Sequence, residues 1–255
     1  MAEQKRFPWL AVGLGVGCLG ILCIGVLVVG GGAALILGPR TDNPIDTITS
    51  GTTRGPSQHL DDHSLFDDFS SDELGWPRYD DGTTLLDYED QAYSFQVTEP
   101  AYYDWVYFPG DFIPHEIQFD VWAASEADNG TFGVFCQYQD EDNYYYVEFN
   151  IAGEYYLIGE FVDGSDTDLT RPDKGAQDGP NTDALNPPTS VNHIGVSCNL
   201  DSIALSINGQ VVDEVSVKQP FDQAGPAAFF VYVFEDAGEN GYKVFFDNVE
   251  AQQQQ

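Results

Sequence analysis

The sequence predicts an all-β protein, a sandwich of two sheets that follows one N-terminal transmembrane helix. A central stretch, 129–164, is predicted to form three consecutive strands, because its apolar and polar side chains alternate with a period of two. About a dozen short segments of this kind, separated by Asp, Gly and Pro turns, cover 64–250, and no helical period intervenes. The stretch from Trp9 to Leu37 is almost wholly apolar.

The N-terminal segment has the features of an uncleaved membrane anchor. No residue between Arg6 and Arg40 is charged, and this run exceeds both the roughly 20 residues that span a bilayer core and the apolar region of a cleavable signal peptide. Lys5 and Arg6 precede the run, so the positive-inside bias places the N-terminus in the cytoplasm. We therefore predict a cytoplasmic segment at 1–8, a single-pass anchor at 9–38 whose partner is the lipid bilayer, and an extracytoplasmic domain.

The remainder divides into a stalk, one domain and a short tail. Residues 39–63 are rich in Pro, Gly, Ser and Thr and are predicted to form a flexible stalk, 64–250 the β-sandwich, and the Gln-rich 251–255 a disordered tail. The Asn208-Gly209 pair between alternating segments is the strongest hairpin signal, and 163–189 reads as a long polar loop. Besides those of the central stretch, strands are predicted at 65–69, 83–88, 92–98, 102–108, 113–124, 191–200, 202–207, 211–217, 227–234 and 242–249.

The charge of the chain excludes one class of partner. The chain has 42 acidic and 9 basic residues, a formal net charge of -33, and nearly all of this charge lies from Ser64 onward. Such a field repels phosphate backbones, so no nucleic-acid partner is predicted. Cations, neutral polymers and basic partners remain open, and so does the plainer interpretation of a solvated acidic coat.

Five segments carry a resemblance to a known family: FDDFSSDELGW at 66–76, FGVFCQYQDEDNYYYVEF at 132–149, LIGEFVDG at 157–164, INGQVV at 207–212 and VFFDNVEA at 244–251. Together they resemble bacterial surface proteins with a concanavalin A-like lectin/glucanase jelly roll, whose nearest named relatives are laminin-G-like and 3-keto-disaccharide-hydrolase-like domains. The resemblance implies that the first and last strands of the domain pair with each other. It says little about activity, because the fold hosts lectins, hydrolases and adhesion modules.

The motifs of catalysis that this resemblance would suggest are missing. A retaining glucanase on this fold is expected to carry Glu-x-Asp-x-x-Glu on one strand, but after Glu116 the chain has Gln118 and Val121 at the two other positions. His115 and Glu116 begin an HExxH zinc motif that Phe119 ends. We therefore predict no catalytic residue and no metal ligand, while a pair of carboxylates on the concave face of the sandwich remains an alternative.

Cofactors are not predicted either. The run from Gly15 to Gly20 matches the dinucleotide spacing GxGxxG, but it lies inside the apolar span without a strand-turn-helix context. The turns at 139–143 and 163–168 are rich in oxygen ligands of the kind that hard cations prefer, although neither has the twelve-residue calcium-loop pattern. A structural calcium ion is thus an open alternative to ordinary acidic turns.

Two cysteines are placed to form a disulfide. Cys136 shares its strand register with Phe132 and Val134, and Cys198 shares its register with Ile194 and Val196, so both point into the core. In an oxidising exterior, two buried thiols on nearby strands are expected to bridge. The alternative is a pair of buried free thiols.

The last prediction concerns a ligand face. If Phe119, Val147 and Leu157 point into the core, the pleat turns their strand neighbours to one common outer surface. These candidate ligand-binding residues are Trp122, Tyr144, Tyr146, Tyr156, Gln118, Asp120, Glu148 and Glu160. Apolar sugar faces stack on aromatic rings and sugar hydroxyls need acceptors, so this mixture suits a neutral glycan.

We therefore predict a membrane-anchored, lectin-like module that binds carbohydrate or another surface polymer without catalysis, with its site centred on Trp122, Tyr144 and Tyr146. One alternative is a glycoside hydrolase or 3-keto-glycoside-processing enzyme that uses carboxylates of the concave face. A second is an adhesion or sensory ectodomain with no small ligand, in which tyrosines fill the pleated surface because aromatic residues favour strands.

Overall fold

The computed structural model describes residues 58–171, 179–217 and 225–253, which contain sixteen β-strands and no helix. None of these residues belongs to a helix with the length and apolarity that a membrane crossing requires. The predicted anchor at 9–38 lies outside the described residues. The strands are β1 (Gln58–Leu60), β2 (Ser64–Asp67), β3 (Tyr79–Asp80), β4 (Thr84–Glu89), β5 (Ala92–Val97), β6 (Tyr102–Tyr107), β7 (Glu116–Ala123), β8 (Gly130–Asp140), β9 (Asn143–Asn150), β10 (Tyr155–Val162), β11 (Ser165–Asp168), β12 (Asn192–Cys198), β13 (Ser202–Ile207), β14 (Gln210–Ser216), β15 (Ala228–Val233) and β16 (Tyr242–Gln252).

These strands form two antiparallel sheets packed as a sandwich. The larger sheet has ten strands in the order β14-β13-β12-β7-β16-β5-β4-β3, with β2 beside β16 and β1 beside β2. The smaller sheet has six strands in the order β11-β10-β9-β8-β15-β6. The β2–β16 pair, with Leu65 opposite Ala251, confirms that the first and last predicted strands of the domain meet.

Aromatic rings from both sheets fill the space between them. The Phe229 ring of the six-stranded sheet stacks on the Phe246 ring of the ten-stranded sheet with centroids 4.0 Å apart, and Phe119 meets Phe229 edge-on at 4.9 Å. All three side chains are fully buried. Phe119 therefore points inward as predicted, and the inward residues fix which side chains lie on the outer surface of each sheet.

The predicted disulfide is confirmed. Cys136 of β8 and Cys198 of β12 are bonded across the core, with Cα atoms 5.9 Å apart and a sequence separation of 62 residues. Because β8 belongs to the six-stranded sheet and β12 to the ten-stranded one, the bond ties the two layers together.

The predicted Asn208-Gly209 turn and a second turn at Asp163-Gly164 have the backbone angles that their residue types favour. Asn208 and Gly209 have φ angles of 50° and 79°, and Asp163 and Gly164 have φ angles of 49° and 77°. Positive φ at both central residues matches the right-handed twist of the flanking strands, which is why Asn-Gly and Asp-Gly are preferred there.

Four short pieces of structure differ from the prediction. Strand β1 lies in the stretch predicted to be a flexible stalk, β3 lies between two predicted strands, β11 lies in the predicted polar loop, and β16 extends into the predicted tail at Gln252. β1 and β11 pair on one side only, with β2 and β10 respectively. Edge strands of three or four residues gain their backbone hydrogen bonds from a neighbour and need no alternating pattern, so sequence periodicity misses them.

Candidate functional site

An aromatic surface covers the outside of the six-stranded sheet. It lies opposite the core because its residues alternate with buried inward residues such as Val134, Val147 and Phe229. We call it the aromatic face; its rings are Tyr103, Trp105, Tyr107, Phe135, Tyr138, Tyr144, Tyr146, Phe161, Phe230 and Tyr232.

Ring contacts run across this face from strand to strand. Phe135 on β8 stacks on Phe230 of β15 at 4.9 Å between centroids and contacts Tyr144 of β9 at 4.6 Å, and Tyr144 stacks on Phe161 of β10 at 5.2 Å. These central rings are buried against one another. At the β6 edge the Trp105 ring is half-buried and stacks on Tyr103 at 5.6 Å, so aromatic surface stays open to solvent there.

Two glycines allow the central rings to lie flat on the sheet. A Cβ at Gly133 would come within 2.3 Å of the Phe230 ring, and one at Gly159 would come within 2.4 Å of the Tyr146 ring. Atoms cannot approach that closely without displacement, so any larger residue would lift these rings off the backbone. Gly133 and Gly159 therefore allow the aromatic rings to lie close to the backbone of the sheet.

Carboxyl groups lie within the same face. Glu148 of β9 is opposite Gly133 on one side and Leu157 on the other, in a cross-strand row that continues through Phe230 to Trp105. The Tyr146 hydroxyl donates a hydrogen bond of 2.7 Å to Oδ1 of Asp166, on edge strand β11. The face thus offers acceptors between and beside its rings.

Burial governs the protonation of these two carboxyls. It raises the pKa of Glu148 to about 7, an effect that the nearby Thr131 hydroxyl opposes and the negative charge of Asp166 adds to. Burial also raises the pKa of Asp166, against the lowering effect of the hydrogen bond from Tyr146. Glu148 therefore changes its charge near neutral pH.

A buried hydroxyl and a buried ion pair complete the surroundings. The Thr131 Oγ1 atom is fully buried and makes no hydrogen bond of ordinary geometry within the described residues. Asp168 is 1 % exposed; its Oδ1 accepts the backbone N–H of Arg171 at 2.9 Å, and its Oδ2 lies 3.5 Å from Nε of Arg171. Asp168 is thereby neutralised by Arg171, whereas Glu148 and Asp166 form no ion pair with a Lys or Arg of the described ranges.

The predicted ligand residues do not share one surface. Tyr144, Tyr146 and Glu148 lie together on the aromatic face, as predicted. Gln118, Asp120 and Trp122 are on β7, which belongs to the ten-stranded sheet, so they lie on the opposite outside of the sandwich. Alternation fixes which side of its strand a residue occupies and leaves open which sheet that strand joins.

Strand β10 has the opposite facing from the predicted one. Tyr156 pairs with the buried Phe149 and donates a hydrogen bond from its hydroxyl to Oδ2 of Asp213 across the sandwich at 3.1 Å, and Glu160 pairs with the inward Tyr145. Tyr156 and Glu160 are therefore on the core side, and Leu157 is on the aromatic face. Both sets of alternate residues on β10 are largely apolar, so the sequence pattern does not distinguish its two faces.

The outer face of the ten-stranded sheet has a smaller aromatic pair beside a polar network. Trp122 stacks on Phe245 with centroids 5.4 Å apart, and Nζ of Lys243 lies 4.8 Å from the Phe245 centroid. Asp120 contacts Nδ1 of His193 at 2.8 Å and accepts a hydrogen bond of 2.9 Å from Asn248. Asp120, His193 and Asn248 on this outer face are thus paired with one another.

Sequence reasoning missed several residues of the aromatic face, chief among them Trp105, Phe230, Asp166 and Thr131. Trp105 lies within the predicted strand 102–108 and alternates with Asp104 and Val106. This period of two was the sequence signal that could have identified it. No sequence pattern places β6 and β15 beside β8, because those strands are far apart in the chain.

No group of three or more His, Cys, Asp or Glu side chains is arranged to hold a metal ion within the part of the chain that the structure describes. In the 139–143 turn, Oδ1 of Asp140 instead accepts hydrogen bonds from the backbone N–H of Asp142 at 3.0 Å and the side-chain amide of Asn143 at 2.8 Å.

The two antiparallel sheets, with the terminal strands paired, form a β-sandwich with the concanavalin A-like jelly-roll fold. No protein-family model matches the sequence, and no curated protein matches it significantly. The fold is established by solved structures instead.

Three such structures span nearly the whole described domain. A Bacillus licheniformis beta-glucanase aligns with a TM-score of 0.54 and 11% identity over 76% of this chain and 99% of its own. A prokaryotic beta-1,3-1,4-glucanase (lichenase) from a mouse hindgut metagenome aligns at 0.53 and 12%, over 75% and 100% of the two chains. The Crh5 transglycosylase in complex with NAG aligns at 0.52 and 12%, over 76% and 85%. At this identity the likeness is one of fold.

Proposed function

We propose that the aromatic face binds carbohydrate without cleaving it. The observation that carries the proposal is the open edge of this set of rings, where the half-buried Trp105 stacks on Tyr103, in a cross-strand row that leads to Glu148. Apolar faces of sugar rings stack on aromatic side chains, and sugar hydroxyls donate hydrogen bonds to carboxyl oxygens. The descriptions of the three solved structures, a beta-glucanase, a lichenase and a transglycosylase bound to NAG, all concern carbohydrate and support the same ligand class.

The half-buried ring of Trp105 provides the test, because it lies at the open edge of the face. Calorimetric titration of the full chain, kept in a detergent without a sugar headgroup, with neutral gluco-oligosaccharides should show weak binding. Trp105→Ala should weaken that binding about tenfold, the loss expected for one stacked aromatic ring.

Trp122→Ala is the matched control, since Trp122 is also a half-buried, stacked tryptophan but lies on the other sheet. Its affinity should stay within about twofold of the wild type. Absence of binding at millimolar oligosaccharide, or equal losses in both variants, would refute the proposal.

A second candidate, glycoside hydrolysis, is favoured by one observation. With a pKa of about 7, Glu148 retains its proton near neutral pH, as a general acid must. Acid and base roles, however, require two carboxyls whose pKa values are pushed apart, and burial raises the pKa of Asp166 as well. Mass spectrometry of oligosaccharides incubated with the protein decides: cleavage that Glu148→Gln abolishes would establish hydrolysis.

We also propose that the sandwich is extracytoplasmic and tethered by residues 9–38. The uncharged apolar span and the preceding Lys5 and Arg6 support this. Protease added to intact cells should release a soluble fragment that contains the sandwich. Protection of that fragment until the cells are lysed would contradict the proposed orientation.

A further inference from the structure

The aromatic face combines the hydroxyls of its tyrosines with carboxyl groups. Its carboxyls are Glu148, Asp166 and Asp168; Asp168 is paired with Arg171, and the Tyr146 hydroxyl already donates to Asp166. The three Lys and Arg residues within 58–171, 179–217 and 225–253 are all in ion pairs with other carboxyls: Arg78 with Asp72 and Asp87, Lys243 with Glu89, and Arg171 with the neighbouring Asp168. No cation of these described ranges is free to neutralise Glu148 and Asp166.

A second observation points to a missing partner at this place. Thr131 is on the aromatic face of β8; its fully buried Oγ1 lies close enough to Glu148 to lower the pKa of that carboxyl, but it makes no well-formed hydrogen bond to any described residue. Leaving a buried hydroxyl unsatisfied costs free energy, so such groups in native structures normally have a partner, a water or a ligand. The hydroxyl and the two carboxyls thus mark one under-satisfied polar region between the rings.

An ammonium group satisfies this region better than a sugar hydroxyl does. Its positive charge offsets the mutual repulsion of two partly buried carboxylates, and its N–H groups donate to them. Aromatic rings attract a cation through their negatively charged faces, which adds to the same preference. The acidity of the domain, with 42 acidic against 9 basic residues in the chain, draws cations toward it over longer distances.

We propose that the aromatic face selects glycans with free amino groups, that is, oligomers of unacetylated amino sugars, through Glu148 and Asp166. This inference rests on the proposed carbohydrate-binding function and specifies its ligand class. It separates an amine-specific site from a face that accepts any neutral sugar ring.

The test compares oligosaccharides of equal length that differ at one substituent: β-1,4-linked glucosamine, its fully N-acetylated counterpart, and glucose. Each is titrated calorimetrically into the full chain at moderate ionic strength and at pH 7, close to the raised pKa of Glu148, where an ammonium group beside this carboxyl favours its charged form. The glucosamine oligomer should bind about tenfold more tightly than the other two, a ratio set by one charge-assisted contact.

Variants then locate the preference. Glu148→Gln and Asp166→Asn keep the shape and an acceptor oxygen, so each should reduce the preference for the amine at least about fivefold and leave the affinity for the N-acetylated oligomer within about twofold. Glu116→Gln is the matched control: it removes the same charge from the outer face of the ten-stranded sheet and should leave the preference intact.

The possible results are distinguishable. If none of the three oligomers binds, the proposed carbohydrate function itself fails. If the neutral oligomers bind as tightly as the glucosamine oligomer, the amine specificity is refuted while the carbohydrate function stands. If the preference survives both site variants, or falls equally with Glu116→Gln, it arises from the overall charge of the domain, and the assignment to Glu148 and Asp166 is overturned.

Discussion

The two outer faces of the sandwich use similar residue types to different ends. Both combine stacked aromatics with carboxyl groups, but on the ten-stranded sheet Asp120 is held by His193 and Asn248, and Glu116 accepts a hydrogen bond of 2.6 Å from Ser197. On the six-stranded sheet, Glu148 lies between rings beside the unsatisfied Thr131 hydroxyl.

This difference shows why composition alone does not identify a binding surface. A polar group that already has a partner in the protein gains little from a ligand, whereas an under-satisfied one gains a full hydrogen bond or ion pair. The aromatic face is therefore the better candidate, although β7 and β9 contain similar types of residue.

The largest expected effect concerns the disulfide that links the two sheets. Replacing Cys136 and Cys198 together by alanine removes a link across 62 residues and should lower the free energy of unfolding by about 4 kcal/mol on loop-closure grounds. Urea unfolding followed by the fluorescence of the buried Trp76 measures the change. An unchanged midpoint would show that the two sheets hold together without the disulfide.

Two glycines, one on each outer face, give the next comparison. Gly159→Ala should cost about 1–3 kcal/mol and weaken glycan binding, because its Cβ would lie 2.4 Å from the buried Tyr146 ring and push the ring from Asp166. Gly195→Ala on the ten-stranded sheet meets only the Ser206 hydroxyl, at 2.5 Å, and this short side chain can rotate away. Equal losses of stability in the two variants would contradict the role assigned to Gly159.

A smaller expected effect is that carboxyls on the two outer faces change the stability of the protein over different pH ranges. The pKa of Glu148 is raised from 4.5 to about 7, so the folded protein holds a proton that the unfolded chain releases between these values. Stability from this group is present below pH 4.5 and is lost as pH rises to about 7, a change of about 2 kcal/mol after allowance for partial exposure.

Asp247 lies on the outer face of the ten-stranded sheet, where burial and the charge of Asp120 raise its pKa from 3.8 to about 6. Stability from this group is therefore also lost as pH rises, but between these lower pH values. Unfolding free energies measured from pH 4 to 8 should lose their slope above pH 6 in Glu148→Gln, whereas in Asp247→Asn the slope below pH 6 should become smaller and the slope above pH 6 should remain. A wild-type slope above pH 6 in Glu148→Gln would refute the burial of that carboxyl.

The strands of the sandwich were largely predictable because half-buried strands alternate apolar and polar residues, as β7 and β12 do. The Asn208-Gly209 hairpin was predictable from turn chemistry. The Cys136–Cys198 bond was predictable because strand register placed both cysteines on the core side. Where both faces of a strand are apolar, as on β10, alternation has no contrast, and the predicted facing was wrong.

The composition of the candidate site was less predictable than the strands. Trp105, Phe230 and Glu148 share one cross-strand row only because β6 and β15 pair, and β15 and β8 pair, across long separations in the chain. Local patterns contain no information on that order, so Trp122 was grouped with Tyr146 although they lie on opposite sheets.

The central claim, that ligand binds the aromatic face and not the opposite one, can be tested by observing the tryptophans directly. The chain has four, of which Trp105 and Trp122 are half-buried on the two outer faces and Trp76 is buried. Fluorine NMR of protein labelled with 5-fluorotryptophan, with resonances assigned by single Trp→Phe variants, follows each side chain as glucosamine and N-acetylglucosamine oligomers are added. The account predicts that the Trp105 resonance shifts to saturation while that of Trp122 stays in place; a saturating shift of Trp122 with an unmoved Trp105 would contradict it.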